Sequence, residues 1–289
     1  MKNLIFLVFA TALFCACEKE IKLKPEEVQP RIVVNGILSA GDTIHIQISE
    51  SRDVLYAGQL PLITNAQAWL YDENDNAIAH FTEDSIGYYT VYSVLPQPNN
   101  VYKLKVAASG FESISSSTIV PKVIDNFTVD TMRTGDKMNF TIHFNDHPDE
   151  TNFYALTIFQ NVYNCNDFSC SSSLNAGMCT KELEVTNVQH NLNGDKCASV
   201  FLFSDENFNG SEFTFSTEQD ILTSYDSINF TITLRSITEE YYKYKLTNEA
   251  YNEVQPDPFS QPVQVYSNIE NGFGIFGGAR VYSETSFWK

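Results

Sequence analysis

The sequence predicts a mainly β protein made of two β-sandwich domains of immunoglobulin or fibronectin type, with one helix near the C-terminal end. Three observations lead there. The 289 residues include 21 Phe and 15 Tyr, and aromatic and β-branched side chains suit the pleated, half-buried surface of a strand. Period-two alternation recurs: His45 and Gln47 separate Ile44, Ile46 and Ile48, while Lys103 and Lys105 separate Tyr102, Leu104 and Val106. That pattern places apolar side chains on one face and polar ones on the other, as an antiparallel strand with one wet face requires. Turn clusters at 72–76, 96–100 and Ser109-Gly110 divide the pattern at the spacing of short sandwich strands.

In chain order, residues 31–121 read as the first sandwich. Its strands fall at 31–38, 44–48, 66–71, 77–82, 88–92, 102–106 and 113–120, and Pro121 ends the run. Residues 122–289 read as a second β domain. Phe140, Ile142 and Phe144 alternate there, as do Ile228, Phe230, Ile232 and Leu234, with further strands at 153–162, 200–203 and 213–215. The Ser-rich stretch 164–181 reads as a long loop. A helix is expected over 238–252: Ser236 followed by Glu239 offers a capping box, and Ile237, Tyr241, Tyr244, Asn248 and Tyr251 fall on one stripe. Prolines stiffen 255–262, and a final β section follows.

The first residues read as an export signal. Lys2 precedes an apolar stretch that ends at Phe14, too short to span a bilayer, with the small residue Ala16 at the expected cut. Leu13-Phe14-Cys15-Ala16-Cys17 resembles a bacterial lipobox. Residues 1–16 are therefore read as a lipoprotein signal peptide, Cys17 as the lipidated residue and 17–30, charged and holding two prolines, as a tether. Two or three acyl chains on one cysteine suffice for stable anchoring in a bilayer. Glu18-Lys19-Glu20 resembles the acidic signal that sends Bacteroidota lipoproteins to the outer leaflet, so the body is expected to face the cell exterior.

With Cys15 removed and Cys17 lipidated, four cysteines remain: Cys165, Cys170, Cys179 and Cys197. In an exported chain they read as two disulfides, in any of three pairings. Zinc is the less favoured reading, because the spacing lacks a C-x2-C knuckle. Eighteen basic residues face 36 acidic ones, and such a body repels phosphate backbones, which argues against nucleic acid.

One set of strings points to a family. Cys17-Glu-Lys-Glu-Ile-Lys-Leu, Ile32-Val-Val-Asn-Gly36, Tyr241-Tyr242-x-Tyr244 and the run from Asp257 through Gly278 together resemble an uncharacterised family of Bacteroidota outer-membrane lipoproteins, domain of unknown function 4249. The resemblance covers essentially the whole mature chain. It implies a cell-envelope location and frequent genomic neighbourhood with TonB-dependent outer-membrane receptors, and it brings no catalytic residues.

Few constellations carry chemistry. Asp72, Asn74 and Asn76 with Glu83 place oxygens at calcium-loop spacing, yet Ala77 stands where such a loop bends on glycine, and Asx residues also make ordinary hairpin turns. The 145–150 turn has similar ligand chemistry. Gly272-x-Gly274-x-x-Gly277 matches a dinucleotide fingerprint as a string, but reads better as glycines that let aromatic strands approach closely. The five histidines form no close pair, and no G-x-S-x-G names a nucleophile. Asp-Ser/Thr-apolar tripeptides put Thr43, Ser85, Thr131 and Ser227 forward as O-glycosylation acceptors, with strand-start turns as the plain alternative. No cofactor is expected. The leading function is a non-enzymatic accessory or ligand-capture lipoprotein of the outer membrane, held by Cys17 and partnered with a TonB-dependent receptor. A structural or adhesive envelope protein, and a hydrolase with a spatially assembled site, are the alternatives.

Overall fold

The computed structural model describes residues 29–52, 58–148, 150–165, 170–175, 181–182, 200–221, 225–254, 261 and 263–288; the side chains of 164–165, 170–175, 181–182 and 287–288 are not described. The signal peptide, Cys17, nearly all of the tether, Cys179 and Cys197 lie outside these residues.

The first run of strands is β1 (Ile32–Ser39), β2 (Ile44–Glu50), β3 (Gln67–Tyr71), β4 (Ala77–His80), β5 (Thr82–Ser85), β6 (Tyr88–Val91), β7 (Val101–Ala107) and β8 (Ile114–Ile119). The second is β9 (Asp125–Thr134), β10 (Lys137–Asn145), β11 (Phe153–Cys165), β12 (Cys170–Asn175), β13 (Lys181–Glu182), β14 (Phe201–Ser204), β15 (Glu212–Asp220) and β16 (Ser227–Ile237). Helix α1 (Glu239–Val254) and strand β17 (Phe273–Trp288) follow. The chain is mainly β, with one helix and three sheets among the described residues. One sheet runs β12-β11-β16-β17-β1-β2-β6-β5, with β14 also on β11; a second runs β13-β15-β10-β9 and a third β4-β3-β7-β8.

Two large cores follow from the alternation. Ile32, Val34, Ile46 and Ile48 of the long sheet pack with Leu70, Leu104 and Val106 of the third sheet. Phe140 and Phe144 of the second sheet pack with Tyr154, Phe230 and Ile232 of the long one. In the first core the Tyr89 phenol is buried, donates to Ile63 O at 2.9 Å and accepts from Ala66 N at 3.0 Å. Tyr89→Phe strands both backbone groups, so a loss of about 1–3 kcal/mol is expected in urea unfolding; a change below about 0.5 kcal/mol would show that water reaches them.

Strand β17 joins the cores. Its first half lies parallel to β1, from Val33 opposite Phe273 to Ser39 opposite Ala279. Its second half lies antiparallel to β16, from Ile237 opposite Ala279 to Ile228 opposite Trp288. The first core therefore takes Phe276 and Ile269 from far beyond residue 121. Glycine makes the approach feasible: a β-carbon on Gly274 would lie 2.0 Å from Val34 O, and one on Gly278 would lie 1.9 Å from Ile119 O. The Gly272–Gly277 string thus serves close backbone approach around β17, the use its residues suggested over a dinucleotide loop.

Two local expectations change. Ser236 lies inside β16, opposite Tyr154 and Arg280, so no capping box forms. Thr238 precedes the helix instead, and its carbonyl accepts from Tyr242 N at 2.9 Å. The helix docks through Tyr241 and Tyr242 on a small third cluster with Ala155, Ile237 and Ala279, the Tyr242 ring lying 4.8 Å from that of Phe153; none of its residues is fully buried. Within 164–181, residues 170–175 form strand β12 on β11. Cys-Ser-Ser-Ser-Leu-Asn has no apolar alternation, and backbone pairing with β11 makes the strand.

Candidate functional site

The third sheet turns its polar face outward, and β3, β7 and β8 set two cross-strand rows on it. Trp69, Lys105 and Ser115 form one row, Tyr71, Lys103 and Ser117 the other. Trp69 is 40% exposed although it is the kind of side chain a core usually takes. Its ring meets His80 edge-on, with centroids 4.6 Å apart. Lys105 Nζ lies 4.6 Å over the Tyr71 ring, within cation–π range. Lys103 Nζ pairs with Asp75 at 2.9 Å and donates to Glu73 O at 3.0 Å, so one lysine is tied down and the other rides on an aromatic.

Beside these rows runs a cleft of about 390 Å³, walled by Ser115, Ser117, Glu240, Tyr266, Asn268 and Glu270. Its far wall is held by Ser115 Oγ donating to Glu270 at 2.6 Å and Ser116 Oγ donating to Asn268 O at 2.8 Å. Across the helix start lies a second cleft of about 360 Å³, lined by Ile119, Lys122, Glu150, Phe153, Thr238 and Glu239, and Glu240 borders both. Each has the volume of a small ligand site. On α1, burial first and the Arg235 charge second push the Lys245 amine below the usual lysine range; its Nζ lies 5.6 Å over the Tyr241 ring.

The sequence-derived positions fall as follows. Cys165 and Cys170 are register partners closing the β11–β12 hairpin. Thr43 lies half-buried before β2, its N–H donating to Asp42 Oδ1 at 2.7 Å. Ser85 is exposed at the end of β5, Thr131 is half-buried with Oγ1 3.5 Å from Ser286 Oγ, and Ser227 opens β16 half-buried. All four hydroxyl residues keep some access to solvent.

The calcium-like loop does not assemble. Asp72 Oδ1 accepts from Asn74 N and Asn76 N, both at 2.9 Å, which makes it a hairpin turn. These bonds, led by the Asn76 side chain, hold its carboxyl below the usual range. Glu83 accepts from Asn65 N and Gly87 N instead. Among the described residues no three His, Cys, Asp or Glu side chains converge as metal ligands. The ring of His45 meets Thr90, that of His143 meets Thr214 and that of His147 meets the carbonyl of Val123. No described helix is long and apolar enough to cross a membrane.

The outward rows escaped sequence reading because period two marks polar positions without saying which of them share a surface. An outward Trp between apolar neighbours was the available signal.

A family model described as Domain of unknown function (DUF4249) matches residues 18–285. No curated protein matches the chain. Among solved structures it is similar to the adhesin InvE of Yersinia pseudotuberculosis, at 16% identity over 72% of this chain and 55% of that one, with a TM-score of 0.22. It is also similar to three N-terminal domains of the Highly Immunogenic Outer Capsid protein of bacteriophage RB49, at 14% identity over 73% and 64%, with a TM-score of 0.22. Extracellular domains 3–5 of Drosophila OTK match at 10% identity over 73% and 93%, with a TM-score of 0.20. The chain thus spans less than two thirds of the first two structures.

Proposed function

The chain belongs to the family of domain of unknown function 4249, and from that premise we propose that it is a non-enzymatic, lipid-anchored outer-membrane protein that captures ligand beside a TonB-dependent receptor. The observation that carries this reading is the outward face holding Trp69, Tyr71, Lys103 and Lys105 next to an open, polar cleft. Exposed aromatics and a cation on a rigid sheet give contact area at little entropic cost, as binding surfaces require. Cys17 supplies the anchor, the 17–30 tether the reach, and the acidic body keeps the protein soluble beside the membrane. Two disulfides complete the exported form. Their pairing is one of the three that four cysteines allow. Thr43, Ser85, Thr131 and Ser227 are its glycan acceptors.

The test is purification of the full lipoprotein from its own membranes in mild detergent, followed by identification of bound proteins. A TonB-dependent receptor should co-purify, and Trp69→Ala with Lys105→Glu should weaken its retention about tenfold or more while the protein remains folded. Retention unchanged in the double variant would remove this face from the reading, and absence of any such receptor would remove the partnership. Cys17→Ala should move the protein to the soluble fraction; continued membrane association would overturn the lipid anchor.

A further inference from the structure

Two loops at one end of the second core hold a pair of carboxylates that the outward face does not use. Asp146 follows β10 and Asp205 follows β14, and they are 6% and 1% exposed. The loops are joined by their backbones, with Asp146 N donating to Ser211 O and Asp205 N to Asn152 O, both at 3.1 Å. Asp146 accepts the phenol proton of Tyr154 on Oδ1 and the N–H of Gly210 on Oδ2, the latter at 2.8 Å. Asp205 Oδ2 accepts from Asn152 N at 2.8 Å and Asn152 Nδ2 at 3.1 Å. Asp205 Oδ1, sealed from solvent where the loops meet, has no hydrogen-bond partner. A desolvated carboxylate oxygen without a partner is costly, and the backbone bonds between the loops bring a second buried carboxylate to the same end of the core. Burial first, with the Asp205 charge acting in the same direction, pushes the Asp146 carboxyl above the usual range.

The His147 charge offsets that of Asp146 in part, but among the described residues no lysine or arginine forms an ion pair with either carboxylate. Lys122 is turned outward to Glu150 at 2.8 Å, and the His147 ring is committed to the Val123 carbonyl. Asn152 Nδ2, which donates to Asp205, also donates to the carbonyls of His147 and Glu150 at 3.2 and 3.1 Å, so further backbone oxygens gather at one side of the pair. Nitrogen or sulfur ligands of the kind zinc selects are not part of this set.

We propose that Asp146 and Asp205 together hold one hard divalent cation, calcium by preference, where the chain after β10 meets the chain after β14. Calcium accepts six to eight oxygens in irregular geometry, so two carboxylates can be completed by backbone carbonyls and water, whereas magnesium demands a near-ideal octahedron. Two carboxylates fall below the three-ligand cluster absent from the described residues and suit a Kd on the order of 10⁻⁴–10⁻³ M, the range of extracellular modules. The ion would tie the two loops together.

The experiment uses the full exported protein, with calcium chloride and terbium as probes. Calorimetric titration should give one site, with an unfolding midpoint that rises with calcium and returns on chelation. Terbium should luminesce on tyrosine excitation and be displaced by calcium. Tyr154→Phe should remove most of that emission while calorimetry still finds the site, because its phenol touches Asp146. Asp205→Asn should abolish the increment, and Asp72→Asn should leave it intact. No binding at about 5 mM calcium, well above the expected range, would overturn the proposal, and so would an increment that vanishes with Asp72→Asn and survives Asp205→Asn. If Asp205→Asn fails to fold, wild-type stoichiometry and the Tyr154→Phe emission decide.

Discussion

Gly278→Ala is expected to cost roughly 3–5 kcal/mol, enough to leave little folded protein. The added β-carbon would lie 1.9 Å from Ile119 O and 2.9 Å from Ile119 C. Those atoms belong to the backbone at the end of β8 and cannot swing aside as a flexible side chain would. Relief requires β17 to lift away from β8, and β17 is the strand that completes the first core. Gly274→Ala adds a second penalty to the same kind of clash. Its β-carbon would lie 2.0 Å from Val34 O, and its φ of +106° lies where L side chains rarely settle. Gly41→Ala is the control: φ is +75° but nothing lies within 4 Å, so about 1 kcal/mol is expected from backbone conformation alone. Urea unfolding of the three variants checks the order. A Gly278→Ala protein within 1 kcal/mol of wild type would mean that β17 does not approach β8 this closely.

Phe144→Ala should cost about 3–5 kcal/mol. The Phe144 ring has centroid distances of 4.9 Å to Tyr154, 5.5 Å to Phe213, 6.1 Å to Phe208 and 6.4 Å to Phe203. Truncation therefore leaves a cavity bounded by four rigid rings drawn from both sheets, and flat aromatic walls collapse poorly into a gap. Phe127, half-buried at the edge of the second core with Tyr282 as its ring neighbour at 6.0 Å, should lose about 1–2 kcal/mol on the same change, because its site can refill with solvent. Equal losses at the two positions would mean that the Phe144 cluster adjusts freely.

The strands with one buried face were legible because burial and alternation are the same fact seen twice. In β10 the buried residues are Met138, Phe140, Ile142 and Phe144, with polar side chains between them. Strand β9 was missed: none of its residues is buried, its alternation rests on half-buried Phe127 and Val129 alone, and its pairing with β10 defines it. The parallel register of β1 with β17 was equally hidden, since a strand's own sequence does not reveal a partner supplied from the other end. The helix was found where its pattern said, but one turn's chemistry was misassigned, because Ser236 satisfies the capping string while sitting in a ladder. At the sites, sequence supplied the anchor and cysteine readings, which rest on short local strings. The Trp69–Lys105 rows and the Asp146–Asp205 pair each need residues from separate strands or loops, and only the fold brings these together.

The placement of β17 also governs when the protein can exist as a folded body. Synthesis delivers β1 through β8 well before residues 273–279, yet β1 has one edge that only those residues fill. Until they arrive, the first sandwich keeps an unpaired edge and lacks Phe276 in its core, and closing so long a loop is slow. The nascent chain therefore stays open through most of its production. That openness lengthens exposure to aggregation and to passing chaperones. When β17 docks, it completes both cores with one event, so unfolding followed at either core should give the same midpoint.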